Sequence, residues 1–213
     1  KGPGILAEEA NRCGAFLIHF STDYVFDGSK TEPYTEKDEP GPLNVYGQTK
    51  LAGEQAVEAA GGDYLIFRTS WVYSLRRECF VTKVLRWARE QEQLQIVSDQ
   101  VSSPTSSRVL AETISQIIAQ GMDDPAEWLS ERQGLYHLAG GGSCSRYEWA
   151  RAILAYDPKK NEHIVKEVLP VVSDHFATTA DRPYRSILSC EKFEERFELT
   201  CPNWQMGLRL MLG

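Results

Sequence analysis

The chain has 213 residues, of which 42% are hydrophobic, 10% aromatic and 25% charged. These are the proportions of a globular protein, so disorder, collagen and coiled coil are excluded, and no apolar run reaches the ~20 residues that span a bilayer. The formal net charge of -7 repels a phosphate backbone, which argues against a nucleic-acid partner.

The five cysteines are widely spaced: Cys13, Cys79, Cys144, Cys190 and Cys201. Their odd number and the lack of a CxxC pair fit neither a disulfide framework nor a zinc site. The sequence therefore predicts a protein of the reducing cytoplasm, with no metal centre and no membrane segment.

The first half of the chain alternates short apolar runs with amphipathic stretches. These predict, in chain order, a helix over 5–13, a strand over 15–20, a long loop over 27–44, a helix over 46–60, a strand over 64–67, a helix over 79–92 and a strand over 94–97. Gly61 and Gly62 form the stop signal of the second helix.

The second half continues the alternation of predicted helices and strands, which becomes less regular after Asp157. It predicts a helix over 106–120, a strand over 134–139, a helix from about Ser145, a smaller mixed region after Asp157 and a closing helix over 203–212. Buried strands that alternate with helices indicate an α/β fold, with a mainly parallel sheet covered on both faces and a smaller second domain.

In such sheets, ligands bind beyond the carboxyl ends of the strands. Three predicted strand ends carry polar groups: STDY at residues 21–24, RTSW at 68–71 and GGGS at 140–143. The glycine run resembles a dinucleotide-binding turn, but Ser145 replaces its last glycine and the acidic residue expected further on is missing. We interpret it as a structural turn.

The most specific motif is YGQTK, in which Tyr46 and Lys50 are four residues apart on a predicted helix. This spacing puts both side chains on one helix face. A free tyrosine has a pKa of about 10, and a neighbouring cation lowers that pKa by stabilising the phenolate. The pair can therefore donate a proton to a carbonyl oxygen, which a hydroxyl of Thr22 or Ser21 could hold in place.

A set of longer motifs carries a resemblance to a known family. They are STDYVF at 21–26, PLNVYGQTKLAGE at 42–54, RTSWVY at 68–73, DQ at 99–100 with PT at 104–105, GLYHLA at 134–139, RP at 182–183 and PNWQ at 202–205. With them the chain resembles the extended short-chain dehydrogenase/reductases, and within these the dTDP-4-dehydrorhamnose reductase family of dTDP-L-rhamnose synthesis. The resemblance spans nearly the whole chain. It implies a Rossmann-like fold, in which residues 1–98 are the remainder of a dinucleotide-binding domain and residues 99–213 are mostly a substrate-binding domain, with segments that return to the first.

The resemblance also implies a role for each matching residue. Tyr46 would protonate a 4-keto sugar, Thr22 would assist by hydrogen bonding, and Lys50 would lower the Tyr46 pKa and bind the nicotinamide ribose. The residues implied on the cofactor side are Ser21, Tyr46, Lys50 and Thr69. Those implied around the dTDP-sugar substrate are Asp23, Tyr24, Trp71, Gln100 and Arg182.

Members of this family begin with a strand and a Gly-rich turn that bind the cofactor pyrophosphate, and this sequence has neither. We therefore expect an amino-terminally truncated reductase in which the strand over 15–20 is a sheet edge, open to pairing with a second copy. We also expect the chain alone to bind NADPH or NADH weakly or not at all, and tight binding in a nicotinamide-fluorescence titration would contradict this.

Two alternatives stay open. The first is a non-catalytic binding or regulatory protein on the same scaffold, similar to the regulatory β subunit of methionine adenosyltransferase. The second is an epimerase or dehydratase of related sugar nucleotides, although the STDYVF and RTSWVY motifs point away from it. Joint retention of Thr22, Tyr46 and Lys50 favours an enzymatic ancestry, whereas the missing cofactor segment favours a chain that no longer turns over.

Overall fold

The computed structural model describes residues 1–123, 125–176 and 178–213, apart from the side chains of residues 126 and 130. Its α-helices are α1 (Gly2–Arg12), α2 (Val45–Ala60), α3 (Phe80–Glu90), α4 (Ser107–Gln120), α5 (Pro125–Arg132), α6 (Arg146–Tyr156), α7 (Glu191–Phe197) and α8 (Trp204–Leu212). Its strands are β1 (Leu17–Thr22), β2 (Tyr64–Thr69), β3 (Val72–Tyr73), β4 (Gln93–Val97), β5 (Val101–Ser102), β6 (Thr105–Ser106), β7 (Gly134–His137), β8 (Cys144–Ser145) and β9 (Glu167–Val171).

The main sheet has the strand order β1-β2-β7, and both pairings are parallel. Its register sets Thr22 beside Thr69 and Arg68 beside His137, so the carboxyl ends of the strands form one edge. The shorter pairs β3–β6 and β4–β9 are also parallel, and β5–β8 is antiparallel. The predicted α/β class with mainly parallel strands is confirmed.

Strand β2 is buried on both faces because its side chains alternate between two layers of helices. Leu65 and Phe67 belong to a core cluster that includes residues of α4 and α7. Ile66 points the other way and packs with Ala7 of α1 and Val57 of α2. This double burial explains why the YLIF segment is continuously apolar.

A second core cluster holds the later part of the chain together. It surrounds the buried side chain of Trp149 on α6 and includes residues of α3, β4 and α8. Because β4 pairs with β9 while β7 returns to the main sheet, the two halves of the chain are interleaved.

Strand β1 differs from its prediction in position, since it ends at Thr22 instead of Phe20. Ser21 and Thr22 continue the ladder opposite Arg68 and Thr69 despite their polarity. Among the described residues β1 pairs only with β2, and the Phe20 side chain near its end is 38% exposed. Within those same residues, no helix has the length and apolar character required to cross a membrane.

Candidate active site

Helix α2 presents Tyr46 at its first turn. The Asn44 side chain caps the helix, because its Oδ1 accepts a hydrogen bond of 2.9 Å from the Gly47 amide. The Tyr46 side chain is 54% exposed and lines a cavity of about 580 Å³, together with Tyr24 and Arg182. The rings of Tyr24 and Tyr46 are in an edge-to-face arrangement, with their centroids 5.9 Å apart. The phenol is therefore open to a ligand.

Lys50 lies one turn further along α2. Its Nζ donates a hydrogen bond of 2.5 Å to the carbonyl oxygen of Phe20. Burial lowers the pKa of Lys50, and the nearby Glu54 carboxylate acts in the opposite direction. An ammonium has three donors, so two remain for other groups. Helix α2, which carries Tyr46, thus also places the Lys50 cation near the end of β1.

Thr22 ends β1 and caps the short 3-10 helix over Asp23–Val25. Its Oγ1 accepts a hydrogen bond of 3.2 Å from the Tyr24 amide and donates one of 3.1 Å to Asp23 Oδ1. A ketone oxygen can only accept hydrogen bonds. Thr22 can therefore hold such an oxygen only if its hydroxyl proton turns away from Asp23.

Asp23 is a buried carboxyl with 2% of its surface exposed. Its Oδ2 accepts hydrogen bonds from Ser186 Oγ at 2.5 Å and from Ser102 Oγ at 3.2 Å. Burial raises the pKa of Asp23 to about 6, although the hydroxyl hydrogen bonds favour the carboxylate. Asp23 therefore joins the 3-10 helix to the later segments that carry Ser102 and Ser186.

A second cavity of about 530 Å³ opens beside the first, and Arg182 lines both. Aromatic rings and cations make up much of its wall, with Trp71, Phe80 and Trp149 among its aromatic residues and Lys83, Arg146 and Arg182 as its charged residues. The described residues that line it include no Asp or Glu. Such a wall suits an anionic ligand that also carries a ring.

Three comparisons place this geometry among known proteins. The model of the RmlD substrate binding domain matches residues 1–213. The chain is 39% identical over 209 residues to a dTDP-4-dehydrorhamnose reductase of Shigella flexneri, covering 98% of this chain and 68% of that protein.

The chain belongs to the RmlD substrate-binding-domain family.

Two solved structures of dTDP-4-dehydrorhamnose reductases have closely similar folds. The dTDP-4-dehydrorhamnose reductase of Bacillus anthracis, solved in complex with NADP, superposes with a TM-score of 0.87 at 35% identity, over 99% of this chain and 69% of that one. A Clostridium acetobutylicum dTDP-4-dehydrorhamnose reductase gives a TM-score of 0.84 at 34% identity, with the same coverage of both chains.

The RmlD-family chain brings most of the predicted substrate residues together. Tyr24, Tyr46 and Arg182 line the cavity of about 580 Å³, and Trp71, Gln100 and Arg182 line the cavity of about 530 Å³. Asp23 lines neither of them, because its carboxyl is turned into the protein. Its placement is that of a support beneath Thr22 and Tyr24.

Of the four predicted cofactor residues, Ser21 and Thr69 lie at the carboxyl ends of β1 and β2, and Tyr46 and Lys50 lie on α2. The hydroxyls of Ser21 and Thr69 are buried and have no hydrogen-bond partner in the part of the chain that the structure describes. Thr69 also lines an apolar cavity of about 610 Å³ with Phe20. Unpartnered buried hydroxyls are costly, so they fit a site for a ligand with polar groups.

Other segments of the protein pack directly against the glycine run at 140–142. A Cβ on Gly140 would lie 2.4 Å from the Pro104 carbonyl oxygen, and Gly141 exchanges backbone hydrogen bonds with Pro202 and Trp204. The structure agrees with its interpretation as a structural turn. No group of three or more His, Cys, Asp or Glu side chains able to hold a metal occurs among the described residues.

Arg146 is the site residue that sequence reasoning missed. It begins α6 after a capping box formed by Ser145 and Glu148, so in sequence it is an ordinary first-turn helix residue. Its guanidinium lies 3.6 Å from the centre of the Trp71 ring. In the sequence it stands at the start of the helix predicted from about Ser145, which follows the polar GGGS strand end at 140–143.

Proposed function

We propose that this chain reduces the 4-keto group of a dTDP-linked sugar, converting dTDP-4-dehydro-L-rhamnose to dTDP-L-rhamnose with NADPH or NADH. The observation that carries the proposal is Tyr46, an exposed phenol one turn from Lys50 at the wall of a cavity that shares Arg182 with the aromatic and cationic cavity. The names of the 39% identical relatives supply the sugar, and the NADP complex of the Bacillus anthracis structure supports the cofactor.

The residues at the strand ends fit the nicotinamide half of such a cofactor. The free hydroxyls of Ser21 and Thr69 offer hydrogen bonds, and Lys50 has donors left for a ribose. When bound, the reduced nicotinamide supplies a hydride to the carbonyl carbon of the sugar. The chain's own task is to place the ketone and to neutralise the charge that develops on its oxygen.

Tyr46 transfers its phenolic proton to that oxygen, so the ketone becomes a hydroxyl and the tyrosine becomes a phenolate. The Lys50 ammonium stabilises the phenolate by its charge, which lowers the barrier to proton transfer. Thr22 turns its hydroxyl proton from Asp23 to the ketone oxygen and fixes its position. Solvent then returns a proton to Tyr46.

The test is reduction of dTDP-4-dehydro-L-rhamnose, followed by the loss of NADPH absorbance. Tyr46→Phe removes the proton donor and keeps the ring, so we expect the rate to fall by about 100-fold to 10,000-fold. The matched control is Tyr64→Phe, at the amino end of β2 and far along the strand from the site, which should keep the wild-type rate. Equal rates for the wild type and Tyr46→Phe would remove Tyr46 from the mechanism.

The same assay separates the reductase from a non-catalytic protein on this scaffold. Calorimetric binding of dTDP-L-rhamnose without any turnover would favour the binding or regulatory alternative. Besides the nicotinamide cofactor, the proposal requires the dTDP-sugar as its substrate. Pairing of two copies through the β1 edge and a cytoplasmic location stay predictions.

A further inference from the structure

The Asn44 side chain forms hydrogen bonds with two separate parts of the chain. Its Oδ1 accepts from the Gly47 amide at 2.9 Å, and its Nδ2 donates to the Asp181 carbonyl oxygen at 2.7 Å. A backbone amide can only donate and a carbonyl can only accept, so the two partners fix which end of the Asn44 amide faces each of them. One side chain therefore joins the start of helix α2 to a segment 137 residues away.

The segment that Asn44 contacts, residues 178–182, lies along both cavities of the site. Arg182 lines both of them, Thr178 lines the cavity of about 530 Å³, and Asp181 lines the cavity of about 580 Å³. All five residues of the segment are exposed, so packing contributes little to their position. Among the described residues, the bond from Asn44 is the one hydrogen bond that ties this segment to another part of the chain. The segment therefore depends on Asn44 for its place beside the cavities.

The chain is anchored again immediately after this segment. Pro183 packs against Gly28, which has φ of 79° and where a Cβ would lie 2.6 Å from the proline side chain, so the approach requires glycine. The carbonyl oxygen of Tyr184 accepts a hydrogen bond of 2.7 Å from the Val101 amide. Arg182 thus stands between two anchors, this one and the bond that the preceding residue accepts.

The Arg182 side chain is available to a ligand. The residue is exposed, and no Asp or Glu in the part of the chain that the structure describes forms an ion pair with it. The oxygens of a diphosphate accept charge-assisted, bidentate hydrogen bonds from a guanidinium. Binding costs less free energy when the backbone that carries such a side chain is already held in place. Anchoring of the segment therefore contributes to the affinity for an anionic ligand.

We propose that Asn44 is a positioning residue for the sugar nucleotide. It holds residues 178–182 against the start of α2, so that Arg182 keeps its place in the cavity that Tyr46 also lines. The role rests on the proposed function, because the ligand that Arg182 meets is the dTDP-sugar. Asn44 acts through the Asp181 carbonyl and needs no contact with that ligand.

Substitutions of Asn44 separate its two hydrogen bonds. Asn44→Ser and Asn44→Asp keep an oxygen that caps α2, but neither can donate to the Asp181 carbonyl, because serine is too short and a carboxylate has no proton to give. Serine also adds no charge beside the anionic ligand. Asn44→Ala removes both bonds. We expect the melting temperatures of the first two variants to stay near that of the wild type, and that of Asn44→Ala to fall by about 2–4 °C.

The first measurement reports on the segment without ligand or turnover. NMR order parameters of the backbone amides of residues 178–182 are recorded in the wild type, in Asn44→Ser and in Asn203→Ser. Asn203 caps α8 by accepting a hydrogen bond of 3.0 Å from the Gln205 amide and lines neither cavity, so it is the matched control. We expect the order parameters to fall below about 0.6 in Asn44→Ser alone. Unchanged order parameters in that variant would overturn the proposal.

The second measurement is the affinity for dTDP-L-rhamnose, obtained by calorimetry. We expect Asn44→Ser to weaken binding by about 10-fold and Asn203→Ser to leave it unchanged. Arg182→Met should weaken binding as well, and adding Asn44→Ser to it should change the affinity by less than about twofold, because the lost anchor acts through Arg182.

Independent, additive losses in the double variant would overturn the positioning role. A wild type that binds no dTDP-L-rhamnose would instead remove the proposed function, and the order parameters would still decide whether Asn44 holds the segment.

Discussion

Glu54 and Arg68 form a buried, two-pronged ion pair that ties helix α2 to strand β2. Arg68 Nε donates to Glu54 Oε1 at 2.9 Å, and Arg68 Nη2 donates to Oε2 at 2.7 Å. The side chains are 5% and 3% exposed. Because α2 carries Tyr46 and Lys50, this pair fixes the height of these two side chains above the end of the sheet.

Glu54→Gln should therefore destabilise the protein strongly. It leaves the buried guanidinium of Arg68 without its counter-charge, and breaking such a pair costs about 3–5 kcal/mol. Urea unfolding measures the loss. Glu112→Gln, which breaks the exposed ion pair with Arg108 on α4, should cost less than about 1 kcal/mol. Similar losses in both variants would mean that burial of the Glu54–Arg68 pair has no special weight.

Gly47→Ala tests the close approach of α2 to the 3-10 helix that carries Tyr24. A Cβ at this position would lie 2.1 Å from the Tyr24 carbonyl oxygen and 2.9 Å from the Pro42 side chain. The helix has to move, so we expect a loss of about 1–3 kcal/mol of unfolding free energy and a reduced rate, since Tyr46 is the adjacent residue.

The matched control for this substitution is Gly207→Ala on α8. There a Cβ would meet the Tyr73 hydroxyl at 3.5 Å, an ordinary contact distance. Alanine should then be neutral or stabilising by up to about 1 kcal/mol, because it is the better helix former. Thermal unfolding of both variants makes the comparison, and a Gly47→Ala protein as stable as the control would contradict the close approach.

The sequence was sufficient for the elements with strong local signals. Helix α2 was predicted within one residue, since Gly61 and Gly62 mark its end in the sequence and the structure begins it at Val45 instead of Tyr46. Strand β9 escaped prediction because Pro170 weakens a strand pattern, and its pairing partner β4 is far away in the chain. Helix α7 was also not predicted, because its seven residues are too few to show a clear helical period of apolar residues.

The candidate site divides in the same way. Tyr46 and Lys50 could be predicted because their spacing carries its own chemical meaning on a helix. Arg146 could not, since its contact with Trp71 joins two distant segments and depends on the left-handed backbone of Trp71. Asp23 follows the strand end as a ligand-facing residue would, yet the hydroxyls of Ser102 and Ser186 draw it inward.

Asp23 should make stability depend on pH in an unusual direction. Its pKa is raised from 3.8 to about 6 on folding, so the folded protein binds more protons than the unfolded chain between these values. The resulting stability is fully present below the unfolded pKa and is lost as the pH rises through the folded one. At neutral pH the buried carboxylate is a cost.

In Asp23→Asn the side chain stays neutral at every pH, so the substitution should remove the contribution of Asp23 to the pH dependence of stability. The unfolding free energies of both proteins are measured in urea at about pH 4 and about pH 7. The contributions of the other titrating groups cancel in the difference between the two proteins at each pH. We expect the unfolding free energy of Asp23→Asn to gain on that of the wild type as the pH rises. A constant difference between the two proteins would show that Asp23 titrates alike in the folded and unfolded states.

Thr69→Val tests the unpartnered hydroxyl at the end of β2. The Thr69 Oγ1 atom is buried without a hydrogen-bond partner among the described residues, and valine has nearly the same shape. Removing an unsatisfied buried hydroxyl should leave the unfolding free energy unchanged or raise it by up to about 1 kcal/mol. If the hydroxyl serves the cofactor, the same variant should bind NADPH more weakly than the wild type in a nicotinamide-fluorescence titration. A loss of stability without ligand would reveal a partner inside the protein, and unchanged NADPH binding would remove Thr69 from the cofactor site.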